Sequence, residues 1–285
     1  MLSKIISSFS FSVIIAIILG ILFGEIPYAD ELATLALFLA MTFSISNISL
    51  RIKIKEEYKE LIYAFLLNYA FLSSIIIAMG FFMKKYFEGF IVMASAPPAI
   101  LVVPLSGALK GEKHHSLFSL IFLYILSIFL MPLIIILFLS QKVNSFILIK
   151  NIIVLLIMPI LLSRFIYRKI DENKIKILSN MMFFIIIFTM VGKNRNFLLE
   201  NSLIFLSIMM AIRTFGTGGI VKIFGKKFGI DNKKIVNYAL FSSFKNEGLV
   251  MLLSSSLFGY TAAIPAVVAL IFEMIWICCM EARVV

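Results

Sequence analysis

Read for polarity alone, the chain is a succession of long apolar blocks separated by short polar runs. The blocks cover 5–23, 32–50, 61–83, 87–109, 116–139, 146–167, 177–191, 197–224, 237–257 and 262–280. Most approach the ~20 residues that a helix needs to cross the hydrocarbon core of a bilayer. They are continuous rather than alternating, which argues against membrane strands. The pattern predicts an all-α polytopic membrane protein with ten transmembrane helices. The first block begins like a signal peptide, but its apolar run is long for one and no clear cleavage site follows, so it reads as a retained first helix. Two blocks are interrupted. The fourth is broken at Pro97 and Pro98 and again at Pro104; the ninth is broken at Lys245, Asn246, Glu247 and Gly248. A charged side chain at bilayer depth costs ~2.5–3.5 kcal/mol on insertion scales, so Lys245 and Glu247 require partners or a task.

Composition agrees with the pattern: 62% of the 285 residues are hydrophobic and 14% charged, far from the balance of a soluble domain. The net charge of +11 does not point to nucleic acid, because no basic stripe with interleaved aromatics accompanies it. The basic residues sit in the loops instead. Loops on the N-terminal side of the membrane hold eighteen of the 26 Lys and Arg, among them Lys4, Arg51, Lys110, Arg164, Lys227 and Arg283. The opposite side has Lys84, Lys85, Lys142, Lys150, Lys193 and Arg195, while Arg213 and Lys245 fall inside spans. By the positive-inside rule both termini are cytoplasmic in a multi-pass protein of the cell membrane. Cys278 and Cys279 read as free thiols. Both histidines, His114 and His115, lie in a loop, and no metal motif, Ser/His pair or Asp-rich diphosphate motif occurs, so no enzyme, metal site or cofactor is expected.

Ten spans divide into two sets of five, 1–140 and 141–285. An odd number per half makes the halves, if related, inverted repeats in the membrane, and the interrupted fourth and ninth spans then correspond. Paired interrupted helices in two halves point to a transport site.

Three blocks carry a resemblance to a known family. The first is 41–67, a polar helix end, a basic loop and the third span. The second is Ala94, Ser95, Ala96, Pro97 and Pro98, running on to Leu109, Lys110, Gly111 and Glu112. The third is 241–250, followed by Ile264, Pro265, Ala266, Val267 and Val268. In order and spacing they resemble the bile acid:sodium symporter family, ten-span carriers of two inverted five-helix repeats whose broken fourth and ninth helices cross. The resemblance implies a secondary transporter working by alternating access. It also implies sodium-binding positions, and here the sequence departs from it. The family's Ser-Asn pair falls on Val102 and Val103, its ninth-helix Glu on Phe241, the Gln of its Gln-Asn motif on Lys245, and its third-helix Gln on Asn68. An apolar pair plus an ammonium cannot surround sodium with oxygens.

The expected site is therefore Lys245, Asn246, Glu247, Glu273, Asn68, Pro97, Pro98, Ser242 and Ser243, with Arg213, Ser106 and Thr217 as secondary candidates. Lys245 can replace a bound cation, and its expected partner is Glu273, in the tenth span at similar depth. Glu247 comes second, since residues two apart on a regular helix do not face each other. Arg213 is expected to snorkel toward the cytoplasm or to cap the glycine-rich segment after it. Positive helix N-termini pointing at the midplane, together with Lys245, favour a small organic anion as substrate, moved with protons or uncoupled. A sodium-coupled symporter of the family type and a non-transporting membrane sensor or scaffold are the alternatives. With Cys278 and Cys279 replaced by Ser, a single cysteine beside Lys142 should react with an impermeant maleimide added outside, and one beside Lys227 should not. The reverse pattern would overturn the orientation.

Overall fold

The computed structural model describes residues 9–46, 54–140, 143–167, 169–198 and 203–281. Lys4, Arg51, Lys142 and Arg283, used above for orientation, lie outside them. The described chain is helical, with no strand. Helix α1 is Phe9–Phe23 and α2 is Ala29–Ser46. Helix α3 runs through Ile54–Phe65, a π-helical stretch Leu66–Leu72, and Ser73–Phe82. Two short helices follow, α4 (Phe87–Ser95) and α5 (Val102–Ala108), then the long α6 (Lys113–Leu139). Helix α7 is Ser145–Ile152, a π stretch Ile153–Ile157, and Met158–Phe165; α8 is Glu172–Leu198. Helix α9 is Leu203–Ala211, a π stretch Ile212–Gly216, and Thr217–Lys227. A second pair of short helices, α10 (Asn232–Phe241) and α11 (Glu247–Phe258), precedes α12 (Ile264–Glu281).

Seven of the described helical stretches are long and apolar enough to cross a membrane: α2, α6, α7 and α9, the greater part of α3 and α8, and most of α12 with the turn before it. With their backbone groups paired internally and their apolar side chains outward, they make this a polytopic helical membrane protein. Several boundaries differ from the hydropathy reading. Residues 54–60, expected in a charged loop, are helical, and Glu60 is buried there because Lys234 and the Tyr238 hydroxyl reach it at 2.7 and 2.8 Å. Helix α8 extends past the expected 177–191 because its polar last turns find partners, Lys193 on Asp30 at 2.5 Å. Pro104 does not break a helix: it lies in the first turn of α5, where its missing N–H has no helical acceptor to lose.

The helices pack as two groups. Helices α1, α2, α7 and α8 hold to one another, and α3–α6 with α9–α12 form the second group. Between the groups, α8 and α2 lie along α11, with α8 and α1 also touching α12. Among the described residues, three polar ties across this interface lie at one end. There the Tyr260 hydroxyl donates to Asp30 at 3.0 Å, the Lys193 ammonium lies 3.6 Å from the centre of the Tyr260 ring, and Asn151 donates to Ser256 at 2.6 Å.

Inside the second group, α4 sits against the turn between α11 and α12 at Gly89, where a Cβ would come within 2.1 Å of the Ala262 carbonyl oxygen. The obstacle is backbone, so the helix itself must retreat. Gly89→Ala should lower stability by about 1–3 kcal/mol, the usual cost of overpacking, seen as a lower melting temperature in detergent. Gly219→Ala, which meets open space, should leave it unchanged.

Candidate functional site

Both pairs of short helices come from single apolar blocks that lose their helix midway. In the first, Ala96 turns extended (ψ 149°), as the residue before a proline must, and the chain leaves the helix until Val102. In the second, α10 ends at Phe241 and α11 starts at Glu247, capped by the Asn246 side chain on the Leu249 N–H at 3.2 Å. The two breaks touch: the Asn246 N–H donates to the Pro97 carbonyl at 2.9 Å. With no water to satisfy them, the orphan carbonyls at the ends of α4 and α10 must find donors.

Lys245 and Asn68 supply them. Lys245 is fully buried, and its ammonium lies 2.9 Å from Asn68 Oδ1, 3.0 Å from Ser73 Oγ, 3.1 Å from the Ala94 carbonyl and 2.8 Å from the Ala96 carbonyl. The Tyr69 ring covers it, its centre 4.5 Å away. The lysine is thus a tethered cation on the C-terminal end of α4, where the helix dipole favours positive charge. Asn68 does the matching work for α10, donating to the Phe241 and Phe244 carbonyls at 2.9 and 3.0 Å. The π stretch of α3 holds both Asn68 and Tyr69.

On the other side of the breaks the pairing differs from expectation. The Lys245 side chain does not reach Glu273; only its backbone N–H does, at 3.2 Å. Arg213 takes the carboxylates instead. It is fully buried rather than snorkelling, with Nη1 2.5 Å from Glu273 Oε1 and Nη2 2.8 Å from Glu247 Oε1. The chain between α10 and α11 is unwound, so Lys245 turns toward α3 and α4 while Glu247, in the first turn of α11, turns toward α9. Similar depth in consecutive spans suggested the Lys245–Glu273 pair, but depth does not fix which way a side chain leaves an unwound stretch. Arg213, too, sits in a π stretch, so a polar residue in a π-helical turn supports the breaks from each flank, Asn68 in α3 and Arg213 in α9.

The remaining candidates divide. Pro97 contributes its carbonyl, and Asn246 also donates to the Tyr124 hydroxyl at 2.9 Å. Pro98 keeps the first break open. Ser242 and Ser243 are buried but bond back to the Ala239 carbonyl at 3.0 and 2.6 Å. Thr217 bonds back to the Arg213 carbonyl at 2.5 Å, and Ser106 donates to Asn237 at 2.6 Å, away from the ion pairs. Val102 and Phe241 are buried without a side-chain oxygen, and Val103 has none either. These residues do not fit a sodium ion, and the oxygens around the Lys245 ammonium are already engaged. Ser73, Tyr69 and Tyr124 were missed; a hydroxyl or phenol within an apolar span is common, and only the folded contacts distinguish these. A cavity of about 30 Å³, room for roughly two waters, is bounded by Lys245 to Gly248, Glu273, the Ile100 segment of the first break and, across the group interface, Phe183, Ile186 and Ile187 of α8.

No protein-family model matches the chain, and no curated protein is significantly similar to it.

The geometry separates two pairings that the sequence confused. A double-mutant cycle with Arg213→Met and Glu273→Gln should give a coupling energy of about 2–3 kcal/mol, because removing one member strands the other in a dry interior. The cycle with Lys245→Met and Glu273→Gln should couple by less than about 1 kcal/mol, since only a backbone N–H joins them. Both are read from unfolding of the purified protein in detergent.

Proposed function

We propose that the chain is a secondary transporter of a small organic anion, built as ten spans in two inverted five-helix repeats. The first repeat is 1–140 and the second 141–285, and the crossed pairs α4/α5 and α10/α11 are the fourth and ninth spans. In this reading α1 and the two broken pairs complete the seven long spans, both termini are cytoplasmic, and the likeness to the bile acid:sodium symporter family reflects a common architecture. The observation that carries the proposal is the Lys245 ammonium held among four oxygens where the two breaks meet. A carrier that binds cations at such a crossing requires one there for the fold to close; here a side chain provides it permanently. The two helix groups, with a small cavity at their interface beside Glu247 and Gly248, supply the parts that alternating access needs: a fixed site and two bodies that part around it. Ligands of carboxylate type suit the N-terminal end of α11, which borders that cavity.

A fixed ammonium removes the need for sodium. Thermal-shift screening of the purified protein against a panel of aliphatic and aromatic carboxylates should find a stabilising ligand, and uptake of that ligand into proteoliposomes should be unchanged when sodium is replaced by potassium or choline. A steep sodium dependence, or no uptake of any stabilising acid, would overturn the reading.

A further inference from the structure

The Arg213 cluster contains one more carboxyl than it has cationic partners. One guanidinium serves both Glu247 and Glu273. The other nearby cation, Lys245, has its ammonium committed to Asn68, Ser73 and two carbonyls, none of them charged. Those carbonyls can only accept, so the lysine must keep its protons to satisfy them. It is a poor candidate for a group that loads and unloads a proton.

Glu247 has the opposite surroundings. It is 2% exposed, yet its Oε2 has no hydrogen-bond donor, while Oε1 takes the bond from Arg213. Glu247 and Glu273 both bond the one Arg213 guanidinium, so two acids crowd a single cation. Like charges gathered on one cation in a dry interior oppose each other, which favours a proton on one of them. Glu273 is the better carboxylate, since its Oε1 takes both the Arg213 bond and the Lys245 backbone N–H. Glu247 lines the cavity at the group interface, where water and a proton would enter first. The charged groups around it are Arg213 from α9, Glu273 from α12 and Lys245 from its own break. From α8, α2 and the first break the neighbours are apolar, Ile186, Leu37 and Ile100 among them.

We propose that Glu247 carries an exchangeable proton, and that this proton is what the anion travels with. With Glu247 protonated, Arg213 and Glu273 balance each other and the Lys245 charge is left over, so the crossing is positive and receives an anion. Loss of the proton makes the set neutral and releases the anion. For a monovalent anion the stoichiometry is one proton per substrate, and the transfer is electroneutral. This coupling rests on the carrier reading above; the proton site itself does not.

The two are tested apart. In Glu247→Gln the amide retains an oxygen for Arg213 and puts an N–H where the proton was, so the variant should fold. The folded wild type holds a proton that the unfolded carboxylate lacks at neutral pH, so its melting temperature should fall as pH is raised toward alkaline values; that of Glu247→Gln should stay level. Infrared pH-difference spectra of ligand-free protein in liposomes should contain a protonated-carboxyl band in the wild type, lost in Glu247→Gln and kept in the control Glu31→Gln. A band that survives in Glu247→Gln, or none in the wild type, overturns the proton site. The carrier arm uses benzoate and longer carboxylates from the thermal-shift panel. An inward-directed proton gradient should drive their accumulation at least tenfold better in the wild type than in Glu247→Gln, while Glu247→Gln still exchanges labelled for unlabelled acid. A titrating band with no acid transported would uphold the proton site and overturn the carrier reading. Gradient-driven accumulation intact in Glu247→Gln would overturn the coupling and leave the carrier standing.

Discussion

A helix that stops in the middle of an apolar layer exposes carbonyls that nothing in the layer can satisfy, and the molecule is arranged around that problem. It arises twice, at Ser95 and at Phe241, and each time the answer is a polar side chain brought in from elsewhere. Lys245 leaves its own helix to cover the end of α4, and Asn68 leans from α3 onto the end of α10. Because each break is satisfied by residues of another element, neither could persist alone. The Asn246–Pro97 backbone bond is then less a cause of the arrangement than its seal.

The charges follow from the same constraint. A lysine at the end of α4 is favoured by the dipole and by the oxygens there, and so does not need a carboxylate. That frees Glu247 and Glu273 to share Arg213, a residue whose planar fork can serve two acceptors where an ammonium would serve them less well. Neutral oxygens around one cation and two acids around the other give the two sides of the breaks opposite character within a short distance.

Much of the architecture was legible in the chain because hydropathy over ~20 residues reports directly on what a bilayer demands. The apolar blocks, the breaks at Pro97 and near Lys245, and the burial of Asn68, Glu247 and Glu273 could all be read that way. Partners could not. Lys245 and Glu273 sit at similar depth in consecutive spans, which made them a natural pair; depth, however, says nothing of which face a side chain leaves from, and the unwound 242–246 stretch has no helical face. Arg213 was misjudged because its place in the sequence suggests a helix end, whereas the π stretch Ile212–Gly216 turns it inward. Helix ends such as that of α8 outran the apolar pattern because their polar residues are paired across chains of contact, Lys193 to Asp30 and Tyr260, which no local window records.

That last cluster has a mechanical side. The described polar contacts between the two helix groups lie at the end where Tyr260 meets Asp30 and Asn151 meets Ser256, while at the other end the ties of Ser44 to Ser179 and of Lys234 to Glu60 stay within one group or the other. Apolar faces can exchange one another for lipid or slide with little directional penalty; hydrogen bonds and a cation over a ring cannot be stretched without being lost. Stiffness is therefore unevenly distributed along the seam. Any separation of the groups would have to break the bonds at the Tyr260 end, whatever happens to the apolar contacts along the rest of the seam.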